Sequence, residues 1–413
     1  MHTLAQLEAG ALQGITRLQL AAGLTAFPEA IYTLADSLEI LDLSNNALSE
    51  LPADLHRLTN LRVIFCSNNR FRRLPEALGA CPKLEMIGFK SNQIEEVPAG
   101  ALPEQTRWLI LTDNRVASLP ERLGMLKRLQ KLMLAGNQLT ALPASLRQCH
   151  HLELLRISAN LLTSFPDVVL DLPRLCWLAF AGNPFCESHS EHGEFPQVSM
   201  EDLQIHDVLG QGASGVISRG SWKRNIHGFS DEVAVKVFKG EVTSDGYPLD
   251  ELEACLSLGQ HPNLVTPLAR MHSAGHAGLV MELIPADYRN LGQPPSLASC
   301  TRDTFTAGQS FRIQTLSRFI EQMQSVASHL QEHSISHGDL YAHNVLVNDE
   351  GHVLFGDFGA ASRYHFLAKY QREGIAQIEA RALTCFIEDM LGLCPEEDKG
   401  TTEYQRLLAR VSG

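Results

Sequence analysis

Apolar residues recur along the first half of the chain in one repeating pattern. From residue 38 the order Leu38-x-x-Leu41-x-Leu43-x-x-Asn46-x-Leu48-x-x-Leu51-Pro52 is repeated, and its asparagine returns at positions 69, 92, 114, 137, 160 and 183, in steps of 22 or 23 residues. An earlier copy, Leu18-x-Leu20-x-x-Gly23-Leu24-x-x-Phe27-Pro28, lacks the asparagine, as the capping unit of a stacked array can. Leucines two apart predict a short strand in every unit, both pointing into a core that no single unit could bury. The asparagine predicts side-chain hydrogen bonds to backbone groups of the following turn. The intervening strand positions are then expected to face outward. They include Glu39, Asp42, Arg62, Glu85, Gln130, Lys131, Glu153 and Arg156. Ile40, Val63, Phe65, Met86, Ile110, Met133, Leu154 and Trp177 would add an apolar stripe of the kind that binds a partner.

After Pro184 the pattern stops. Residues 186–200, CESHSEHGEFPQVSM, are polar with glycine and proline and read as a linker. From Leu203 the period changes. A strand is expected over 216–222 after a glycine-rich turn, and another ending at Lys236. A helix is expected around 249–258, a strand at 279–282, an amphipathic helix over 313–332 and a further helix over 378–391. A stretch rich in proline, serine and threonine, 286–310, interrupts the series. The domains are therefore set at 1–185, a linker at 186–200, and 201–413.

Composition narrows the function. With 44% hydrophobic and 20% charged residues the chain can build cores, and 413 residues are too many for one ordinary domain. The formal net charge of −13 is uneven: residues 1–190 hold 17 basic and 18 acidic residues, so about −12 falls on the remainder. That balance disfavours a nucleic-acid partner, whose phosphates it would repel, and none is expected. No apolar run reaches the roughly 18 residues of a membrane span, and the N-terminus lacks the basic flank and apolar core of a signal peptide. Nine scattered cysteines, an odd number, point to reduced thiols and a cytoplasmic setting. Cys186, His189 and His192 form a C-x-x-H-x-x-H run that could ligate a metal or simply be solvated linker.

The repeat matches the leucine-rich-repeat pattern L-x-x-L-x-L-x-x-N-x-L and resembles the intracellular proteins of that family. It implies a curved parallel sheet whose concave face takes a protein partner. The second half resembles the protein-kinase fold, an α+β bilobal domain, here with a shortened C-terminal lobe. Gly210-Gln-Gly212-Ala-Ser-Gly215 with Ile217 is similar to the kinase G-x-G-x-x-G-x-V, because a strand follows it where a dinucleotide fold would open a helix. Val233-Ala234-Val235-Lys236 resembles V-A-I-K, His261-Pro-Asn-Leu-Val265 the segment after the regulatory helix, and Met281-Glu282-Leu-Ile284 the hinge that contacts adenine. His337-Gly-Asp339-Leu-Tyr-Ala-His-Asn344 resembles H-R-D-L-x-x-x-N, and Asp357-Phe-Gly359 is D-F-G.

The resemblance implies ATP with Mg²⁺ or Mn²⁺ as cofactors. Lys236 would hold the α- and β-phosphates, with a carboxylate from the next helix to position it. Glu251 and Glu253 are about 200° apart on that helix, so only one can face Lys236, and Glu251 is preferred. Asp339 would orient the acceptor hydroxyl, while Asn344 and Asp357 would hold the metal. Gly338 and Tyr341 stand where many kinases have arginine and lysine, and Glu379 stands where an aspartate is usual. Three functions stay open: phosphorylation of Ser/Thr hydroxyls on a partner recruited by the repeats, phosphorylation of a small molecule, and a scaffold whose second domain only senses nucleotide.

Overall fold

The computed structural model describes residues 2–187, 196–211, 215–225, 227–238, 243, 245–273 and 276–411. Gly212, His189 and His192 lie outside them. The chain forms two compact units. One comprises Met1–Leu175 and Asn183–Phe185, the other Cys176–Gly182 and Cys186–Gly413. No helix among the described residues is long and apolar enough to cross a membrane. All nine cysteines are free.

The first unit opens with a one-turn helix, α1 (Leu4–Glu8), capped by Thr3, whose hydroxyl accepts from the Gln6 N–H at 3.2 Å. Seven three-residue strands follow: β1 (Arg17–Gln19), β2 (Ile40–Asp42), β3 (Val63–Phe65), β4 (Met86–Gly88), β5 (Trp108–Ile110), β6 (Lys131–Met133) and β7 (Leu154–Arg156). They pair in sequence order, parallel and in register. The next strand of the series, β8 (Trp177–Ala179), is grouped with the second unit. Middle residues Leu41, Ile64, Ile87, Leu109, Leu132 and Leu155 are fully buried, as the pattern predicts.

The Leu-Pro ending has a structural reason. Pro28, Pro75, Pro98, Pro120, Pro143 and Pro166 are each the extended residue before a 3₁₀ turn. Ring closure fixes their φ, and their carbonyls accept the first turn bond, for example from Leu123 to Pro120 at 3.0 Å. Each ladder asparagine ties two units together. Asn137 Nδ2 donates to Leu111 O at 2.8 Å and Leu134 O at 3.0 Å, and Oδ1 accepts from the Val116 N–H at 3.0 Å.

The outward stripe needs correction. Val63, Met86, Leu154, Arg156 and Trp177 are buried, and Ile40, Phe65, Ile110 and Met133 are half-buried. In-register pairing of β1 to β7 sets the residues of those strands against their neighbours on the same face. The Phe65 ring lies so close over Gly88 that a Cβ there would meet it at 2.5 Å. The Lys131 ammonium sits 4.4 Å from the centre of the Trp108 ring.

In the second unit a six-stranded sheet has the order β10-β11-β12-β14-β13-β9. Its strands are β9 (Gln197–Ser199), β10 (Leu203–Gln211), β11 (Gly215–Trp222), β12 (Glu232–Phe238), β13 (Pro267–Ser273) and β14 (His276–Glu282). β9 falls in the stretch read as linker. Its alternation buries Val198 in a cluster with Val233, Val235, Ala269, Met271 and Val280, which polarity averaged over the stretch concealed.

Short helix α2 (Pro184–Glu187) precedes this sheet, and α3 (Pro248–Ser257) begins with proline at its first position. Beyond the sheet come β15 (Arg289–Asn290), α4 (Ile313–Glu332), β16 (Ile335–Ser336), β17 (Val345–Val347), β18 (Val353–Phe355) and β19 (Ser362–Arg363). β15, β17 and β18 form one small sheet, β16 and β19 another. α5 (Lys369–Gly392) starts nine residues earlier than the pattern suggested, and α6 (Thr402–Val411) follows it.

Candidate functional site

The β10–β11 hairpin brings Gly210 opposite Ile217 and Gln211 opposite Val216. Gly215 is demanded by the adjacent strand, since a Cβ there would lie 2.5 Å from Val237 O, whereas space is open at Gly210. Register places the next residues. Ile217 faces Lys236, Lys236 faces Leu279, and Ala234 faces Met281. Directly paired residues, and residues two apart, share a face, so one face of the sheet carries Ile217, Ala234, Lys236 and Met281. Glu282 ends β14 with its N–H donating to Thr266 O at 3.0 Å, and Ile284 lies half-buried just beyond.

Lys236 and Glu251 are both buried, and the Lys236 ammonium is ion-paired with Glu251 Oε1. Asp357 Oδ1 is 3.9 Å from the same nitrogen. Burial pushes the Glu251 carboxyl up to about 7 against the pull of Lys236. Burial would lower the lysine, but Glu251 and Asp357 hold it above its ordinary value. Glu251 Oε2 is buried with no hydrogen-bond partner. Glu253, on the other side of α3, pairs at 2.6 Å with Arg363 of β19.

The loop after β16 is held from several sides. His337 is fully buried and stacks on Phe355, with ring centres 4.1 Å apart. Its Nε2 lies 3.2 Å from Gly356 O, and its Nδ1 accepts from the Asp339 N–H at 3.3 Å. That pair of partners puts the ring proton on Nε2. The Glu379 carboxylate of α5 accepts from the Ser336 hydroxyl at 2.8 Å and from the N–H groups of His337 and Gly338, both at 3.1 Å. Asn344 Nδ2 donates to Asp339 O and Oδ2, both at 3.0 Å. Asp357 has φ +58°, a left-handed conformation that is strained for a residue with a Cβ. Its side chain is 57% exposed, which leaves the carboxylate accessible.

Sequence reasoning assigned no role to the 286–310 stretch, yet it reaches this loop. Asp303 Oδ1 is 2.7 Å from His343 Nδ1, and Oδ2 accepts the His343 backbone N–H at 3.0 Å. Against the effect of burial, the Asp303 carboxylate keeps the His343 ring protonated to higher pH than an ordinary histidine. Arg302 pairs with Glu388 at 2.8 Å and Asp389 at 2.5 Å on α5. The available signal was that Arg302 and Asp303 are the only charges between residues 290 and 311.

Among the described residues no cluster of three or more His, Cys, Asp or Glu could by itself hold a metal. Mg²⁺ needs less when phosphate supplies oxygens: one or two protein ligands suffice. Exposed Asp357 fits that role. Asn344, whose Nδ2 is committed to Asp339, fits it through its Oδ1.

Comparison with known proteins gives two family matches. A profile described as "Protein tyrosine and serine/threonine kinase" matches residues 203–384, and one described as "Leucine rich repeat" matches 36–94, 104–162 and 127–185. The Drosophila melanogaster serine/threonine-protein kinase PITSLRE is 28% identical over 170 residues, which is 40% of this chain and 16% of that protein. The Danio rerio angiopoietin-1 receptor is 29% identical over 175 residues, covering 40% of this chain and 15% of that protein. The chain thus spans only about a sixth of these relatives' lengths. A solved Leptospira interrogans leucine-rich-repeat protein aligns with 44% of this chain and 65% of its own, at 23% identity and a TM-score of 0.30.

Proposed function

The chain is a leucine-rich-repeat array continued by a protein kinase domain, and on that premise we propose that it transfers the γ-phosphoryl group of ATP to Ser/Thr hydroxyls of a protein bound by the repeats. The reading is carried by the meeting of Lys236, Glu251 and Asp357 in one ion-paired group. Lys236 orients the α- and β-phosphates beneath the β10–β11 hairpin, and Glu251 keeps its ammonium in place. Adenine lies against Ala234 and Met281, bonded to backbone groups of Glu282 and Ile284. Asp339 accepts the hydrogen bond of the attacking hydroxyl and receives its proton, while Asn344 keeps that carboxylate oriented. Mg²⁺ or Mn²⁺ on Asn344 and Asp357, when bound, supplies charge to offset that developing on the phosphoryl oxygens. Gly338 in place of arginine makes this a kinase without the usual arginine clamp for a phosphorylated loop.

The test is transfer of labelled γ-phosphate by the full chain beside Lys236→Met and Asp339→Asn. Lys236→Met should lose about 10²–10³-fold in rate, and Asp339→Asn about 10²–10⁴-fold. Transfer unchanged in both variants would refute the assignment. One observation favours a second reading, a small-molecule acceptor: only residues 360–368 separate Gly359 from α5, which leaves little chain to form a peptide platform. ATP consumption with a metabolite but no labelled protein would select it.

A further inference from the structure

β8 carries Leu178 of the last repeat, yet its contacts group it with the second unit. There it meets the loop of Asp339. The Trp177 indole is stacked on the Tyr341 ring, with centres 4.4 Å apart and planes 12° from parallel. Its Nε1–H donates to Leu340 O at 3.1 Å. Both rings are buried. At the other end of the segment, Ser362 Oγ accepts from the backbone N–H groups of Phe180 at 3.0 Å and Ala181 at 3.1 Å.

Between these two anchors lies Gly338. Its φ is +71°, and a Cβ there would lie 2.6 Å from Leu178 O and 2.8 Å from Ala360 O. Both obstacles are backbone, which cannot swing aside as a side chain can. Any residue larger than glycine would require the backbone at Leu178 or Ala360 to shift. Both departures from the kinase loop motif lie where β8 packs: Gly338 under Leu178 O, and Tyr341 under the Trp177 ring.

We infer that Cys176–Gly182 is a positioning element of the catalytic loop, with Trp177 its positioning residue. Trp177 grips Leu340 and Tyr341, the residues between Asp339 and the turn that carries Asn344. Glu379 holds the loop before Asp339, Asp303 holds it at His343 and Gly292 donates to Ala342 O at 3.1 Å, while Trp177 adds a bond to Leu340 O and a stacked ring on Tyr341. The catalytic consequence rests on the kinase reading; the bracing does not.

The experiment compares the full chain with Trp177→Ala, Trp177→Phe and Ser362→Ala. It records kcat, KM for ATP, and hydrogen exchange of amides 338–344. Trp177→Ala should lower kcat about 10–100-fold, because small misplacements of a catalytic group are that costly. KM for ATP should stay within about twofold, since the nucleotide face is untouched. Exchange in 338–344 should quicken. Trp177→Phe keeps a ring over Tyr341 and should recover part of the loss. Ser362→Ala frees the far end of the segment and should act in the same direction, and it carries the test with Trp177→Phe if Trp177→Ala does not fold. Unchanged kcat and exchange in the folded variants would overturn the inference. If the unmodified chain transfers no phosphate, the kinase reading fails by itself, and exchange still decides: faster in the variants upholds the bracing, unchanged refutes it.

Discussion

The residue before each ladder asparagine has the same conformation whatever its identity. Asn45, Asn68, Ser91, Asp113, Gly136, Ala159 and Gly182 all have φ between 52° and 71°. Alanine has neither the freedom of glycine nor the local hydrogen bonds of asparagine, so Ala159 is the strained member. Ala159→Gly should stabilise the protein by about 1 kcal/mol, or about 2–4 °C in melting temperature by calorimetry. The asparagines themselves are held by buried backbone groups. Asn137→Ala leaves one N–H and two carbonyls without their partner. It should cost about 2–4 kcal/mol, read as a lower urea midpoint at constant slope. The asparagine position was legible because the role needs an amide. The left-handed position was not, because five residue types fill it.

Elements show what periodicity can and cannot decide. The helical angle between Glu251 and Glu253 excludes a shared Lys236, and Glu251 makes the ion pair. The use of the second glutamate was invisible, because Arg363 is 110 residues away in sequence and on a strand of two residues. That pair joins α3 to the segment after Asp357. In a double-mutant cycle, Glu253→Ala and Arg363→Ala should show a coupling of about 0.5–3 kcal/mol in unfolding free energy, and additive effects would mean the pair does not hold α3. α4 was legible end to end from its amphipathic pattern. β9, at three residues, is too short for any pattern to stand out.

At the scale of the molecule, the repeat pattern ends at residue 183 but the first compact unit does not coincide with it, since Cys176–Gly182 belongs with the second. A chain beginning at residue 176 should therefore melt higher than one beginning at 186, by about 6–20 °C. The estimate rests on the few kcal/mol that losing a buried tryptophan costs and on the temperature shift per kcal/mol for a unit of this size. Equal melting temperatures would show that the segment adds nothing to the second unit.

Read alone, the sequence determined what depends on spacing along the chain: the repeat, the sheet it builds, the ordered kinase motifs and the preference for Glu251. Each is a local rule, in which a side chain's neighbours lie two to four residues away or in the next copy of a repeat. Only the tertiary structure decided what Gly338 and Tyr341 pack against, what Asp303, Arg363 and Glu379 hold, and which stripe residues are buried. Apart from the stripe, whose residues pack against the next repeat, those facts join residues 40 to 164 positions apart, and no periodicity spans such distances because the loops between them carry none.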